Sequence, residues 1–354
     1  MPLERRPLGR TGETVPSLCL GTMMYGDQIG EADAHRQMDR CLERGIDMLD
    51  TAELYTIPPK AETQGNSERI VGRWIKDRGV RDRVFVATKV TGRSGNAWLR
   101  GGAEVRVTEA QVREAVERSL RNLQVDVIDL YQLHWPDRPV RAFGADLEGY
   151  APYETDPARD GGVEVEAQLA ALARLVEEGK VRHLGLSNET AWGVMAWLRA
   201  AERGHGPRVV TNQNAYNLVN RYYEYGLAEI ADQEAVGLMA YSPLGQGTLT
   251  GKYLGGASPE GSRGERFGRL SRYRTPSAEA AIRAYVEVAG RFGLDPAVLA
   301  MQFVTTRPFV TTNVFGARGD DQLDRVFESL DLAWTDALGE AVNAVHARLP
   351  NVCP

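Results

Sequence analysis

Short apolar runs recur along this chain, and most stop at a polar residue. They fall near 46–50, 84–89, 127–133, 181–187, 209–213, 237–241 and 309–315, with Leu18 to Leu20 ahead of them. Runs of this length, bounded by turn residues, read as buried strands. The segments between them follow a helical period. In Thr108 to Leu123 the apolar residues Val112, Ala115, Val116, Leu120 and Leu123 share one face, and Thr108 with Gln111 fits a capping box. In 164–178 the same face is carried by Leu169, Leu172, Ala173 and Val176. Asn188 is placed to cap a helix over 189–203 that buries Val194, Leu198 and Ala201. Residues 335–348 read as a C-terminal helix, and 3–21 as an antiparallel hairpin, turned at Arg10-Thr11-Gly12-Glu13, that leads into the first strand.

Apolar strands alternating with helices mean a parallel sheet covered by helices. Counting Leu18 to Leu20 as the first, there are eight strand–helix units, which favours a closed (β/α)8 TIM barrel over an open doubly wound sheet. No Pro/Gly/Ser-rich linker divides the chain, so residues 1–354 read as one domain. Two connections are long for a compact domain, 135–163 and 252–276, and long barrel loops usually carry function.

Composition narrows the partners. Of 354 residues, 43% are hydrophobic and 25% charged, as in ordinary globular proteins. The net charge of −6, with basic residues scattered among acids, argues against nucleic acid or an anionic membrane surface. No apolar run approaches the ~20 residues of a membrane span, and Met-Pro-Leu-Glu-Arg-Arg is not followed by the apolar core of a signal peptide. Cys19, Cys41 and Cys353 are too scattered for a disulfide framework or a zinc site. The expectation is a cytoplasmic protein with free thiols, acting on a small molecule, with oligomerisation left open.

Candidate chemistry sits where strand-like runs end. Asp50 closes the 46–50 run and Tyr55 follows it; Lys89 closes 84–89; His134 closes 127–134. The chain has only five lysines, Lys60, Lys76, Lys89, Lys180 and Lys252, so one at the end of a buried strand is not ordinary surface usage. Singly, each residue has a bland reading: a packed tyrosine, a capping aspartate, a structural histidine. Together, at matching strand ends, they suit proton chemistry at a carbonyl. A tyrosine can protonate the carbonyl oxygen, but its ordinary pKa is about 10. A nearby ammonium would lower it, and the ammonium in turn needs a carboxylate. Hence Asp50 is expected to hold Lys89, Lys89 to polarise Tyr55, and His134 to orient the carbonyl. Met24, Tyr25, Trp98, Trp135 and the 135–163 loop, with Phe143, Tyr150 and Tyr153, offer an aromatic substrate pocket; the alternative is rim packing.

These residues resemble the aldo-keto reductase family over nearly the whole chain. The resemblance rests on Gly21-Thr22-Met23, Asp50-Thr51-Ala52-Glu53-Leu54-Tyr55, Ala87-Thr88-Lys89, Leu133-His134-Trp135-Pro136, Gly185-Leu186-Ser187-Asn188 and Tyr241-Ser242-Pro243-Leu244. The segments 57–65 and 247–253 look closest to the bacterial Tas-type members. The resemblance implies NADP(H)-dependent reduction of an aldehyde or ketone to an alcohol, with Asp50, Tyr55, Lys89 and His134 as catalytic tetrad and Tyr55 as proton donor. It implies cofactor contacts from Gly21, Thr22, Met23 and Asp50. Ser187, Asn188 and Gln213 would hold the nicotinamide carboxamide, and Tyr241 would stack on the ring. Ser242, Pro243, Leu244, Gly245, Gly247, Thr248 and Leu249 would run under the pyrophosphate, with Lys252 and Arg263 nearby. Gly316, Ala317, Arg318 and Gln322 match the segment for the 2′-phosphate and adenosine, and an arginine suits a phosphate. Where members often carry a Glu-Asn pair for the adenine, this chain has Arg325-Val326. Arg325 is left either to extend the phosphate site or to stack on the base.

Rival readings are weaker. Gly245-x-Gly247-x-x-x-Gly251 lies too late in the chain, and lacks the following helix and acid, for a Rossmann phosphate loop. No lysine has a tyrosine four positions before it, as short-chain dehydrogenases require, and the five histidines show no paired-ligand spacing for a metal. The remaining alternative is a cofactor-binding, redox-sensing regulatory subunit of the same fold, with slow turnover and a channel partner.

Overall fold

The computed structural model describes residues 3–140, 162–268 and 270–354. Eight parallel strands close a barrel: β3 (Leu18–Gly21), β4 (Met48–Asp50), β5 (Phe85–Val90), β6 (Ile128–Leu133), β7 (Val181–Ser187), β8 (Thr211–Ala215), β9 (Gly237–Tyr241) and β10 (Val310–Phe315), the last pairing back onto β3. All eight expected strands form, within two residues of their expected bounds. The hairpin also forms, as β1 (Arg5–Pro7) and β2 (Thr14–Pro16), antiparallel with Arg6 opposite Val15.

The hairpin closes the N-terminal end of the barrel. Leu8 and Val15 pack there with the inward residues Cys19, Met48, Ala87, Leu130, Met239 and Val314. Side chains alternate along a strand. The next inward positions toward the C-terminal ends are therefore Asp50 above Met48, Lys89 above Ala87, and Gln132 above Leu130. A polar layer on an apolar floor follows directly from this period of two.

Helices α1 (Glu31–Glu43), α2 (Asn66–Arg78), α3 (Glu109–Leu123), α4 (Val165–Glu177), α5 (Ala191–Glu202) and α6 (Leu227–Glu234) follow the strands in turn. After β9 come the short α7 (Arg263–Phe267), then α8 (Pro276–Arg291) and α9 (Pro296–Thr305). After β10 come α10 (Asp320–Ser329) and α11 (Asp336–Arg348). Local chemistry starts several of them. Thr108 caps α3 by accepting from the Gln111 N–H at 3.4 Å, but the reciprocal half of the expected capping box is missing. Gln111 spends its amide on the Arg106 N–H and the Glu104 carbonyl instead. Thr275 and Asp295 cap α8 and α9, each followed by proline at the first helical position, where its missing N–H costs nothing.

The cap expected at Asn188 is corrected. The cap of α5 is Thr190, which accepts from the Gly193 N–H at 3.1 Å; Asn188 has left-handed backbone (φ +53°) and turns its side chain to the barrel mouth. The 252–276 connection contains α7 and several tight turns. Of the 135–163 loop, residues 141–161, with Phe143, Tyr150 and Tyr153, lie outside the described residues. Among the described residues no helix is long and apolar enough to cross a membrane.

Candidate active site

Asp50, Lys89, Gln132 and Gln213 meet inside the barrel, one layer above its apolar floor. Lys89 Nζ donates to Asp50 Oδ2 at 2.5 Å, to the Thr51 carbonyl at 2.8 Å and to the Tyr55 hydroxyl at 3.4 Å. The other carboxylate oxygen, Asp50 Oδ1, accepts from Gln132 Nε2 at 3.0 Å and Gln213 Nε2 at 2.9 Å. Both lone-pair faces of a buried carboxylate are thus occupied, as burial of a charge requires. The Tyr55 and His134 rings lie edge to face, 5.5 Å between centroids, and His134 packs on Trp135 at 4.8 Å.

Burial and charge set the protonation states. Burial raises the Tyr55 phenol above its ordinary pKa, and Lys89 only partly offsets it. This departs from the sequence expectation, in which the ammonium wins. Tyr55 is therefore fully protonated at neutral pH, the state a proton donor needs. For Lys89, burial pulls downward, but Asp50 and Tyr55 together hold its pKa above the ordinary value, so it remains charged. Burial, with the Lys89 charge adding to it, pushes the His134 imidazole well below 6.5, and it stays neutral. Its Nδ1 is buried with no hydrogen-bond partner among the described residues.

Tyr55, His134 and Asp50 open into a cavity of about 1160 Å³ that continues across the barrel mouth to α10. This slightly exceeds the roughly 300–1,000 Å³ of ordinary small-ligand pockets. The tetrad end is lined by Met23, Met24, Leu54, Ile57 and Trp135. Next comes a hydrogen-bonded group at the exits of β7, β8 and β9. The Tyr241 hydroxyl donates to Asn188 Oδ1 at 2.7 Å, Asn188 Nδ2 donates to the His134 carbonyl at 2.9 Å and to Ser187 Oγ at 3.0 Å, and Ser187 Oγ donates to the Gln213 carbonyl at 2.9 Å. Both amide hydrogens of Asn188 are committed, and Gln213 Nε2 faces Asp50 and Gln132. What this group turns to a ligand is acceptor oxygens, which suits the N–H2 end of a carboxamide.

The remainder of the cavity is lined by Ser242, Pro243, Leu244, Gly247, Lys252, Arg263, Gly316, Arg318, Gln322 and Arg325, beside Gly21. Gly247 has φ +90°, and a Cβ there would come 3.3 Å from Lys252 Nζ, so glycine keeps the floor open and the lysine in place. Lys252 and Arg272 face the cavity with no carboxylate partner among the described residues. Arg318 donates through its guanidinium to the Gly261 carbonyl and through its backbone N–H to Gln322 Oε1 at 3.1 Å. The Tyr253 hydroxyl accepts from the Gly264 N–H at 3.2 Å, and the two contacts tie the 252–276 connection along this side. An elongated cavity with acceptors at one end and the cations Lys252, Arg272 and Arg318 along the rest, beside the carboxylates Asp295, Asp321 and Asp324, fits a nicotinamide dinucleotide.

Some expected residues are elsewhere. Tyr25 is not in the cavity wall: it is 1% exposed, in the core, with its hydroxyl donating to Gln37 Oε1 at 3.1 Å. Trp98 packs behind the wall against Leu54, Leu99 and Val105 instead of facing the cavity. Thr22, Gly245, Thr248, Leu249 and Ala317 lie under the surface. The Thr22 hydroxyl donates to the Asp50 carbonyl, Thr248 Oγ1 bonds back to the Gly245 carbonyl at 2.8 Å, and Leu249 and Ala317 are core residues. Arg325 does line the cavity, but its charge is already shared with acids, 2.5 Å from Glu328 and 3.4 Å from Asp295, itself a lining residue. Sequence reasoning missed Gln132, Leu54, Ile57, Arg272 and Asp295. Gln132 was within reach, because it sits two residues before His134 on the same inward face.

A closed parallel barrel with an acid, an amine, a phenol and an imidazole at its mouth is the architecture of a carbonyl oxidoreductase. Residues 17–346 match the family described as the Aldo/keto reductase family, and the chain belongs to it. It is similar to Protein tas of Escherichia coli strain K12, 45% identical over 94% of each chain. It is similar to an Aldo-keto reductase of Babesia bovis, 38% identical over 75% of this chain and 96% of that one. It is also 30% identical to the Uncharacterized oxidoreductase YrpG of Bacillus subtilis strain 168, over 94% of this chain and 92% of that one.

Proposed function

We propose that this protein reduces an aldehyde or ketone to an alcohol with NADP(H), taking the proton from Tyr55. The observation that carries the reading is the placement of Lys89 Nζ, 2.5 Å from Asp50 and 3.4 Å from Tyr55, at the closed end of the cavity. When bound, the cofactor supplies hydride to the carbonyl carbon. Tyr55 gives its phenolic proton to the carbonyl oxygen, and Lys89 stabilises the phenolate that remains. Asp50 keeps Lys89 charged and fixed, while Gln132 and Gln213 hold Asp50 itself. His134, neutral, orients the carbonyl oxygen by a hydrogen bond, and Met23, Met24, Leu54, Ile57 and Trp135 keep water from it.

Ser187, Asn188 and Gln213 would hold the carboxamide, with Tyr241 beneath the ring. Lys252, Arg263 and Arg272 would neutralise the pyrophosphate, and Arg318 would take the 2′-phosphate. The test is a panel of aldehydes and ketones assayed with NADPH and NADH in parallel, beside a direct binding titration of each cofactor. Turnover of several carbonyls with NADPH supports the reading. Tight cofactor binding with only marginal turnover of every carbonyl would favour a cofactor-sensing subunit instead.

A further inference from the structure

Glu53 lies between Asp50 and Tyr55 in the chain, and the reaction as written gives it no role. Yet its carboxylate is wholly buried, and so is its partner: the side chains of Glu53 and Arg100 are 0% and 1% exposed. Arg100 Nη2 donates to Glu53 Oε1 at 2.7 Å and Nη1 to Oε2 at 2.9 Å, a two-pronged pair. Oε1 also accepts from the Thr91 N–H at 2.7 Å. A buried ion pair is a poor source of stability, since well-packed apolar residues of the same volume often serve as well or better. What this pair gains is alignment.

Three segments meet at it. The first is the 51–55 stretch that ends in Tyr55. It runs beside β5, with the Thr51 N–H on the Ala87 carbonyl at 2.9 Å and the Glu53 N–H on the Lys89 carbonyl at 3.2 Å. The Glu53 side chain adds one more rung, to Thr91 just past the end of β5. The third segment is the Ala97–Arg100 turn, where Arg100 Nη1 also donates to the Leu99 carbonyl at 3.1 Å. Leu99 packs with Leu54 and Val105, and Trp98 and Trp135 close over them. The two-pronged bond thus holds Glu53, two residues before Tyr55, and the Thr91 bond ties Glu53 to the exit of the strand that carries Lys89. The Lys89–Tyr55 contact of 3.4 Å is near the outer limit of a hydrogen bond, so a small displacement of either loses it.

We propose that Glu53 and Arg100 are positioning residues for the proton transfer, holding Tyr55 within reach of Lys89 and the Leu54–Trp135 wall beside them. The inference rests on the reductase reading for its chemistry. Its geometry can be tested separately.

Removing one partner alone strands a buried charge, so the test changes both. The variant Glu53→Gln with Arg100→Met keeps an acceptor for the Thr91 N–H and the volume of the arginine stem. Four quantities are compared with wild type: melting temperature, NADPH Kd by protein fluorescence, kcat and KM for a carbonyl substrate, and the 13Cζ resonance of Tyr55, assigned by its loss in Tyr55→Phe. The expected result is a folded protein with Kd and KM within about twofold of wild type, kcat at least tenfold lower and the Tyr55 resonance displaced. An unmoved resonance overturns the proposal whatever the kcat, and so does an unchanged kcat. Arg100→Lys keeps the charge but makes one bond of the two, so an intermediate kcat and a displaced resonance are expected. If the double variant does not fold, an unmoved resonance in Arg100→Lys overturns the proposal in its place. Absence of turnover in wild type would instead defeat the reductase reading, and the resonance would still decide whether the pair places Tyr55.

Discussion

Lys89 Nζ and Asp50 Oδ2 are 2.5 Å apart, with side chains 0% and 3% exposed. Neither charge can be satisfied by solvent, so each depends on the other. Lys89→Met removes the ammonium and leaves Asp50 with only the two glutamine amides on its other oxygen. Stranding one member of a buried pair typically costs about 3–5 kcal/mol. A clear fall in denaturation midpoint is expected for Lys89→Met, together with loss of carbonyl reduction. Asp50→Asn combined with Lys89→Met should recover much of the stability and none of the activity. A double variant as unstable as Lys89→Met alone would show that the charges are not interdependent.

Tyr55→Phe separates the proposed proton donor from the ring. The phenyl group preserves the edge-to-face contact with His134 and the packing of the cavity floor, so NADPH affinity should change less than twofold. The reduction rate should fall about 10²–10⁴-fold, the usual contribution of a positioned general acid. Because burial lifts the Tyr55 pKa above its ordinary value, wild-type kcat/KM for reduction should stay flat through neutral pH and decline only in alkali as the phenol ionises. Steady-state rates from pH 6 upward test both parts; a decline already complete near neutrality would mean that Lys89 outweighs burial.

Much of this site is legible in the chain because strand alternation is rigid. Met48 and Asp50, Ala87 and Lys89, Leu130 and Gln132 are successive inward positions, so an apolar floor implies a polar layer directly above it. What the chain does not display is environment. Tyr25 and Trp98 are aromatic residues near strand ends, but composition does not say which side of the wall they face. Asn188 and Thr190 are both good caps, and only the left-handed backbone at 188 decides between them. The balance at Tyr55 depends on how much water burial removes, which residue types do not record. The Glu53–Arg100 pair spans 47 positions, so no local pattern announces it.

His134 links the site to stability. Its pKa is depressed in the folded protein, first by burial and then by the Lys89 charge, whereas in the unfolded chain it titrates near the ordinary value of about 6.5. Below that value the unfolded state takes up a proton that the folded state refuses. Stability therefore falls as pH drops below about 6.5, by up to about 1.4 kcal/mol per unit, until the folded pKa is reached. Denaturant melts at pH 7.5 and 5.5 should show a smaller loss for His134→Gln than for wild type. The difference between the two proteins isolates this residue from His346, which is also depressed by burial. Identical losses would place His134 in a solvated environment.

On the proposed reading, cofactor choice turns on Arg318. Its guanidinium lines the far end of the cavity and donates to the Gly261 carbonyl, so the proposal gives it two separable duties: charge toward a ligand phosphate and attachment of the 252–276 connection. Only the first distinguishes NADPH from NADH, because the two differ by the 2′-phosphate alone. A hydrogen bond to a charged group is worth about 1.5–3 kcal/mol, which corresponds to roughly 10–150-fold in affinity. Arg318→Ala should weaken NADPH by that order and NADH by less than about threefold, the smaller loss reporting the Gly261 contact. Fluorescence titrations of both cofactors against wild type and variant give the four dissociation constants needed. Equal losses for the two would reduce Arg318 to a tether for the 252–276 connection and leave the phosphate to Lys252, Arg263 or Arg272.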